Sequence, residues 1–96
     1  MAGGKTSAQW AEYNISEFYR CRDAWEKSLQ HARPDYNALL GIYKHLYGAE
    51  INFLDAGMKS QAKEAGRLRK KASHVLEKMM SSSGAIRATA IWQSAQ

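Results

Sequence analysis

The segment from Tyr36 to Ala56 constrains the fold more than any other part of the chain. Laid on a helix at about 100° per residue, its residues Ile42, Phe53, Leu46, Leu39, Tyr43, Tyr36, Leu54, Tyr47, Leu40 and Ile51 spread over more than half of the circumference. One neighbour cannot cover a helix that is apolar so far round. The segment is therefore expected at the centre of the fold, with a helix on each of two sides. Its thin polar strip holds Lys44, His45, Asn52, Asp55, Gly41 and Gly48.

The flanking sequence supplies those neighbours. Pro34 is the single proline; it disfavours helical backbone in the residue before it, and Asp35 is suited to cap the helix that follows. Before this punctuation, helix 1 is expected over about 7–32, with Trp10, Ala11, Ile15, Phe18, Cys21, Trp25 and Leu29 on one side. Glu12, Ser16, Arg20, Asp23, Glu26, Lys27 and Gln30 take the other. Helix 2 spans about 35–56 and Gly57 is a natural stop. Helix 3 then runs over about 58–80, with Ser60 as its cap; the alternative is one unbroken helix from Asp35 to Met80. Ser81 to Gly84 form a turn signal that leads to a short tail helix over about 85–93. No strand alternation, hairpin signal or internal repeat interrupts this pattern. The expected fold is all-α: a single domain over 1–96, a compact three-helix bundle with a short C-terminal fourth helix.

Charge is concentrated at one end. The chain of 96 residues carries a net charge of +5, and residues 57–96 alone hold eight Lys/Arg against two acids. Within helix 3, Lys59, Lys63, Arg67, Lys70, Lys71, His74 and Lys78 fall on about a third of the circumference. Val75, Leu68, Met79, Ala72, Ala65, Met58, Leu76, Ala62 and Met80 take the opposite arc. Lys59, Lys63, Arg67 and Lys71 follow one another at i+4, a like-charge ladder that costs a few tenths of a kcal/mol per pair. Such a ladder is relieved by an anionic partner. The first expectation is nucleic acid, DNA or RNA, held by its backbone. Ser, Gly and Ala separate the cations, where a base reader would place Asn or Gln. The alternative is a protein-interaction module that docks on an acidic surface: an adaptor, an assembly factor, or an inhibitor, for example of a nucleic-acid enzyme. Mobile elements and phages encode proteins of this size and kind. On that reading Ile86, Ile91 and Trp92 of the tail are a partner anchor; the alternative is that the tail closes over its own bundle. The Ala- and Met-rich apolar face of helix 3 lacks aromatic residues, which argues against a membrane surface.

Chemistry has no foothold in the pattern. Cys21 is the single cysteine, so neither an internal disulfide nor a thiolate cluster is expected. Met1 to Ser7 lack a secretory pattern and no apolar run approaches the ~20 residues of a membrane span, so a cytoplasmic setting is expected. Gly4-Lys5-Thr6 matches the end of a phosphate-binding loop, but the preceding strand and first glycine are missing. Asn14-Ile15-Ser16 is a chance sequon within a helix. His31, His45 and His74 lie in three segments and share no face with a carboxylate, so no metal is expected. Ser16, Ser28, Ser60 and Ser73 have no His–acid arrangement beside them. The tyrosines sit mostly at core spacing. No catalytic residue or cofactor is expected, and the protein is not read as an enzyme.

Two further features concern assembly. Glu50 projects into the apolar arc of helix 2, where a charge must be paired; Arg69 and Arg22, at the apolar arcs of helices 3 and 1, are its candidate partners in a structural ion pair. An antiparallel hairpin about Arg33–Pro34 sets residue i of helix 1 opposite about 67 − i of helix 2. Gly41 and Gly48 suggest close approach of another backbone, the tail or a second copy in a homodimer, unless their spacing is coincidence.

Overall fold

The computed structural model describes residues 4–31, 34–79 and Trp92. The described part of the chain is all-helical, with three helices, α1 (Ser7–Ser28), α2 (Tyr36–Asp55) and α3 (Lys59–Met79), and no strand. The expected tail helix, including Ile86 and Ile91, lies outside the described residues apart from Trp92.

Each boundary has a local cause. Thr6 caps α1 in a reciprocal box: its hydroxyl accepts from the Gln9 N–H at 3.1 Å, and the Gln9 side-chain carbonyl accepts from the Thr6 N–H at 2.8 Å. The Gly-Lys-Thr triplet is thus a helix start. α1 stops at Ser28, short of the expected Ala32, because its end tightens into i→i+3 bonds from Gln30 to Lys27 and from His31 to Ser28. The Ser28 hydroxyl donates to the Trp25 carbonyl at 2.6 Å and accepts from the Asp35 N–H at 2.8 Å, drawing the start of α2 onto the last turn of α1. Asp35 caps α2 by accepting from the Ala38 N–H at 3.0 Å.

α2 and α3 are separate helices. At their junction Gly57 takes φ +75°, the Met58 N–H donates to the Phe53 carbonyl at 2.8 Å and the Gly57 N–H to Leu54 at 3.0 Å. This is the paired-bond termination that a left-handed residue permits. Ser60 is not the cap of α3: the first α3 bond runs from Ala62 back to Met58, so Ser60 already lies in the opening turn.

α2 packs against both neighbours, while α1 and α3 make no close backbone contact. Phe18, Trp25, Leu39, Ile42, Leu46, Ala72, Val75 and Trp92 form one buried cluster; Ala11, Ala49, Phe53, Ala62 and Ala65 form a second. Trp10, expected on the packing side of helix 1, is 44% exposed. α1 meets α2 along a narrow line of small residues, and Trp10 lies off it, edge-on to Tyr13 at 5.6 Å and under the Lys5 ammonium at 4.9 Å.

That line also corrects the register. The Ser7 hydroxyl bonds the Asp55 carboxylate, Asn14 lies against Gly48 and bonds His45, Cys21 lies against Gly41, and Ser28 bonds Asp35. Residue i of α1 therefore faces about 62 − i of α2, not 67 − i, since the early stop at Ser28 moves the centre of the turn toward His31. Ser7, Asn14, Cys21 and Ser28 recur every seven residues, opposite Asp55, Gly48 and Gly41 at the same interval. The glycines are thus occupied by α1 and are free for neither a tail nor a second copy. A Cβ at residue 41 would lie 2.7 Å from the Cys21 sulfur, and one at residue 48 would lie 3.0 Å from the Asn14 amide.

Candidate polyanion-binding face

α3 buries Ala62, Ala65, Gly66, Ala72 and Val75. These are small residues that let its backbone settle close to α2. The polar residues are turned outward as a consequence: Lys59, Lys63, Arg67, Lys70 and His74 are exposed, and Lys71 and Lys78 are half-buried.

The seven are not equivalent. Arg67 is held by Glu64 through two bonds, Nε to Oε1 at 2.9 Å and Nη2 to Oε2 at 2.7 Å. This hydrogen bonding raises the pKa of Arg67 and lowers that of Glu64. Lys71 turns inward, its ammonium 4.2 Å from the centre of the Trp92 ring, and burial pushes its pKa below the ordinary value of 10.5. The expected ladder of four free cations is therefore interrupted at two places. Glu64, three residues before Arg67, was legible as a partner at helical spacing; the contact with Trp92 had no local signal. Lys59, Lys63, Lys70 and His74 have no ion-pair partner among the described residues. At about 1.5 Å rise per residue they define a line about 22 Å long.

A shallow depression lined by Glu50, Ser60, Lys63, Glu64, Gly66, Arg67 and Lys70 runs along the α2–α3 edge of this face. At its floor the Glu50 Oε1 accepts from Arg69 Nε at 2.6 Å, with the two side chains 24% and 22% exposed. The carboxylate's hydrogen bond raises the Arg69 pKa, and burial opposes it. Arg69 also lies 5.4 Å from the Tyr47 ring centre. Arg22 is not part of this pair. The register carries it away from Glu50, and its guanidinium rests on Tyr19 at 4.8 Å and Phe18 at 5.6 Å, on the α1–α3 side.

Trp92 is placed as a core residue. It is 3% exposed, meets Trp25 edge-on at 5.9 Å, and donates from Nε1 to the Glu26 carboxylate at 3.1 Å. Among the described residues no three His, Cys, Asp or Glu side chains converge as a metal site requires, and no helix is long and apolar enough to cross a membrane.

The chain matches no protein-family model, no curated protein and no solved structure, so the reading of its function rests on this geometry.

Proposed function

We propose that this is a non-enzymatic binding protein whose α3 face holds the phosphate backbone of a nucleic acid in a sequence-tolerant way. The observation that carries the reading is the line of Lys59, Lys63, Lys70 and His74, exposed and without ion-pair partners among the described residues. Arg67 joins it by exchanging Glu64 for a phosphate, a small change because a surface pair of this kind contributes little to stability. Backbone contacts of this type give affinity without base information.

The test is fluorescence anisotropy with short DNA and RNA duplexes across a salt series, comparing the protein with Lys59→Glu/Lys63→Glu/Lys70→Glu. Each lost phosphate contact removes about 0.7–0.9 from the slope of log K against log salt, so the triple variant should lose about 2–3 in slope and most of its affinity. Its melting temperature should stay close to that of the parent. Equal binding by parent and variant, or no binding by either at low salt, overturns the reading. A protein partner is favoured by a different surface, on α2.

A further inference from the structure

The apolar girth of α2 is covered only in part. α1 and α3 take two arcs, but along the third Tyr36, Leu40, Tyr47, Ile51 and Leu54 stay between 37% and 57% exposed. Their spacing alternates close to three and four residues and continues through the half-buried Tyr43. They form a single stripe about 27 Å long. Contiguous apolar patches on monomers rarely exceed a few hundred Å² unless they bind something. The spacing is that of a coiled-coil seam, which accepts another helix.

We propose that this stripe docks an amphipathic helix of a partner protein whose flanks are acidic. The charges bordering the stripe select that occupant. Every acid beside it is already engaged: Glu50 with Arg69, Asp55 with the Ser7 hydroxyl, Asp35 with the Ala38 N–H. The cations beside it are not. Lys44 at one edge, and Lys63 and Lys70 beyond the Glu50–Arg69 pair at the other, have no ion-pair partner among the described residues. Lys63 and Lys70 stand seven residues apart, so acids at heptad spacing on one helix meet both. A second copy of this chain fits poorly. Pairing α2 with itself antiparallel, about its midpoint near His45, sets Lys44 near Lys44, and parallel pairing sets the Lys44 edge against the edge that Lys63 and Lys70 flank. The chain's own Trp92 is seated on the opposite side of α2, between α1 and α3.

The experiment uses a labelled synthetic helix about three heptads long, with leucines at the seam positions and glutamates along both flanks, and a twin with lysines there. The glutamate peptide should bind the full chain, and Leu40→Ser/Ile51→Ser/Leu54→Ser should weaken it tenfold or more while leaving nucleic-acid binding by the α3 face unchanged. Lys63→Glu/Lys70→Glu should weaken the glutamate peptide and strengthen the lysine one. Should the serine variant lose its cooperative melt, amide shift mapping on the unaltered protein decides, and perturbations must cluster on Tyr36, Leu40, Tyr47, Ile51 and Leu54. The proposal is overturned by equal binding of the two peptides, by equal binding to parent and serine variant, or by shifts elsewhere. Sedimentation that shows a homodimer abolished by the serine substitutions overturns it too, since the occupant is then a second copy.

Discussion

The carboxylate of Glu50 fills the space that a side chain on residue 66 would need. A Cβ at Gly66 would lie 2.5 Å from Oε2, and from this berth Glu50 reaches Arg69. One glycine, one acid and one arginine therefore fix how α3 sits along α2.

One substitution in two backgrounds tests this. Gly66→Ala gains about 1 kcal/mol of helix propensity, but its methyl displaces the Glu50 carboxylate, the end of a flexible side chain, so most of that gain should be cancelled. In a Glu50→Ala background the same change should become stabilising. Glu50→Ala alone should cost about 1–3 kcal/mol by leaving Arg69 half-buried and unpaired. Urea unfolding of the four proteins gives the cycle. A Gly66→Ala change that stabilises the parent as much as it stabilises the Glu50→Ala protein refutes the packing described.

The α1–α2 seam gives a parallel case. Gly41→Ala places a methyl against the Cys21 sulfur and should cost about 1–3 kcal/mol, most of it recovered when Cys21 is also alanine. Burial raises the Cys21 thiol above its ordinary pKa of 9.0, so alkylation of the native protein at mildly alkaline pH should be slow and should accelerate on unfolding. Fast alkylation of the folded protein counts against a close seam.

Much of this was legible in the sequence because it is local. The apolar girth from Tyr36 to Ala56, the Asp35 cap and the Gly57 stop follow from periodicity and backbone preference, and Glu50 in an apolar arc demanded a partner. The register did not follow. It depends on where α1 ends, which the Ser28 hydroxyl sets through a bond to Asp35 across the turn. Nor did the open third face of α2. Girth says that a helix needs neighbours on more than one side, not that the described helices leave one arc open. The basic row was legible as a pattern, but Lys71 was lost to Trp92 through a contact between residues 21 positions apart.

His45 makes stability depend on pH. Its Nδ1–H donates to the Asn14 carbonyl oxygen at 2.9 Å, whose amide donates in turn to the Trp10 carbonyl at 3.1 Å. Burial lowers its pKa below the ordinary 6.5, Glu17 opposes, and Lys44 and Arg20 add to the lowering. Above 6.5 the imidazole is neutral in both folded and unfolded chains and the effect is nil. Below 6.5 the unfolded chain binds the proton first, so stability should fall with pH until the folded pKa is passed. His45→Gln should flatten this part of the profile in urea titrations between about pH 7 and pH 5. An unchanged profile removes His45 as the cause.

Trp92 is the strongest test of how the C-terminal part contributes. Read in sequence either as closing over the bundle or as an anchor for a partner, it sits between Trp25 and Lys71. Trp92→Ala should therefore destabilise the isolated protein by about 3 kcal/mol, through lost burial and the cavity left beside Trp25. Trp92→Phe keeps most of the ring contact but not the bond to Glu26, and should cost about 1 kcal/mol. The aliphatic substitution should also release Lys71, whose lowered pKa depends on burial, and so raise the affinity of the α3 face for a polyanion in low salt. A Trp92→Ala protein that melts with its parent, yet loses binding to a partner, returns the residue to the role of anchor.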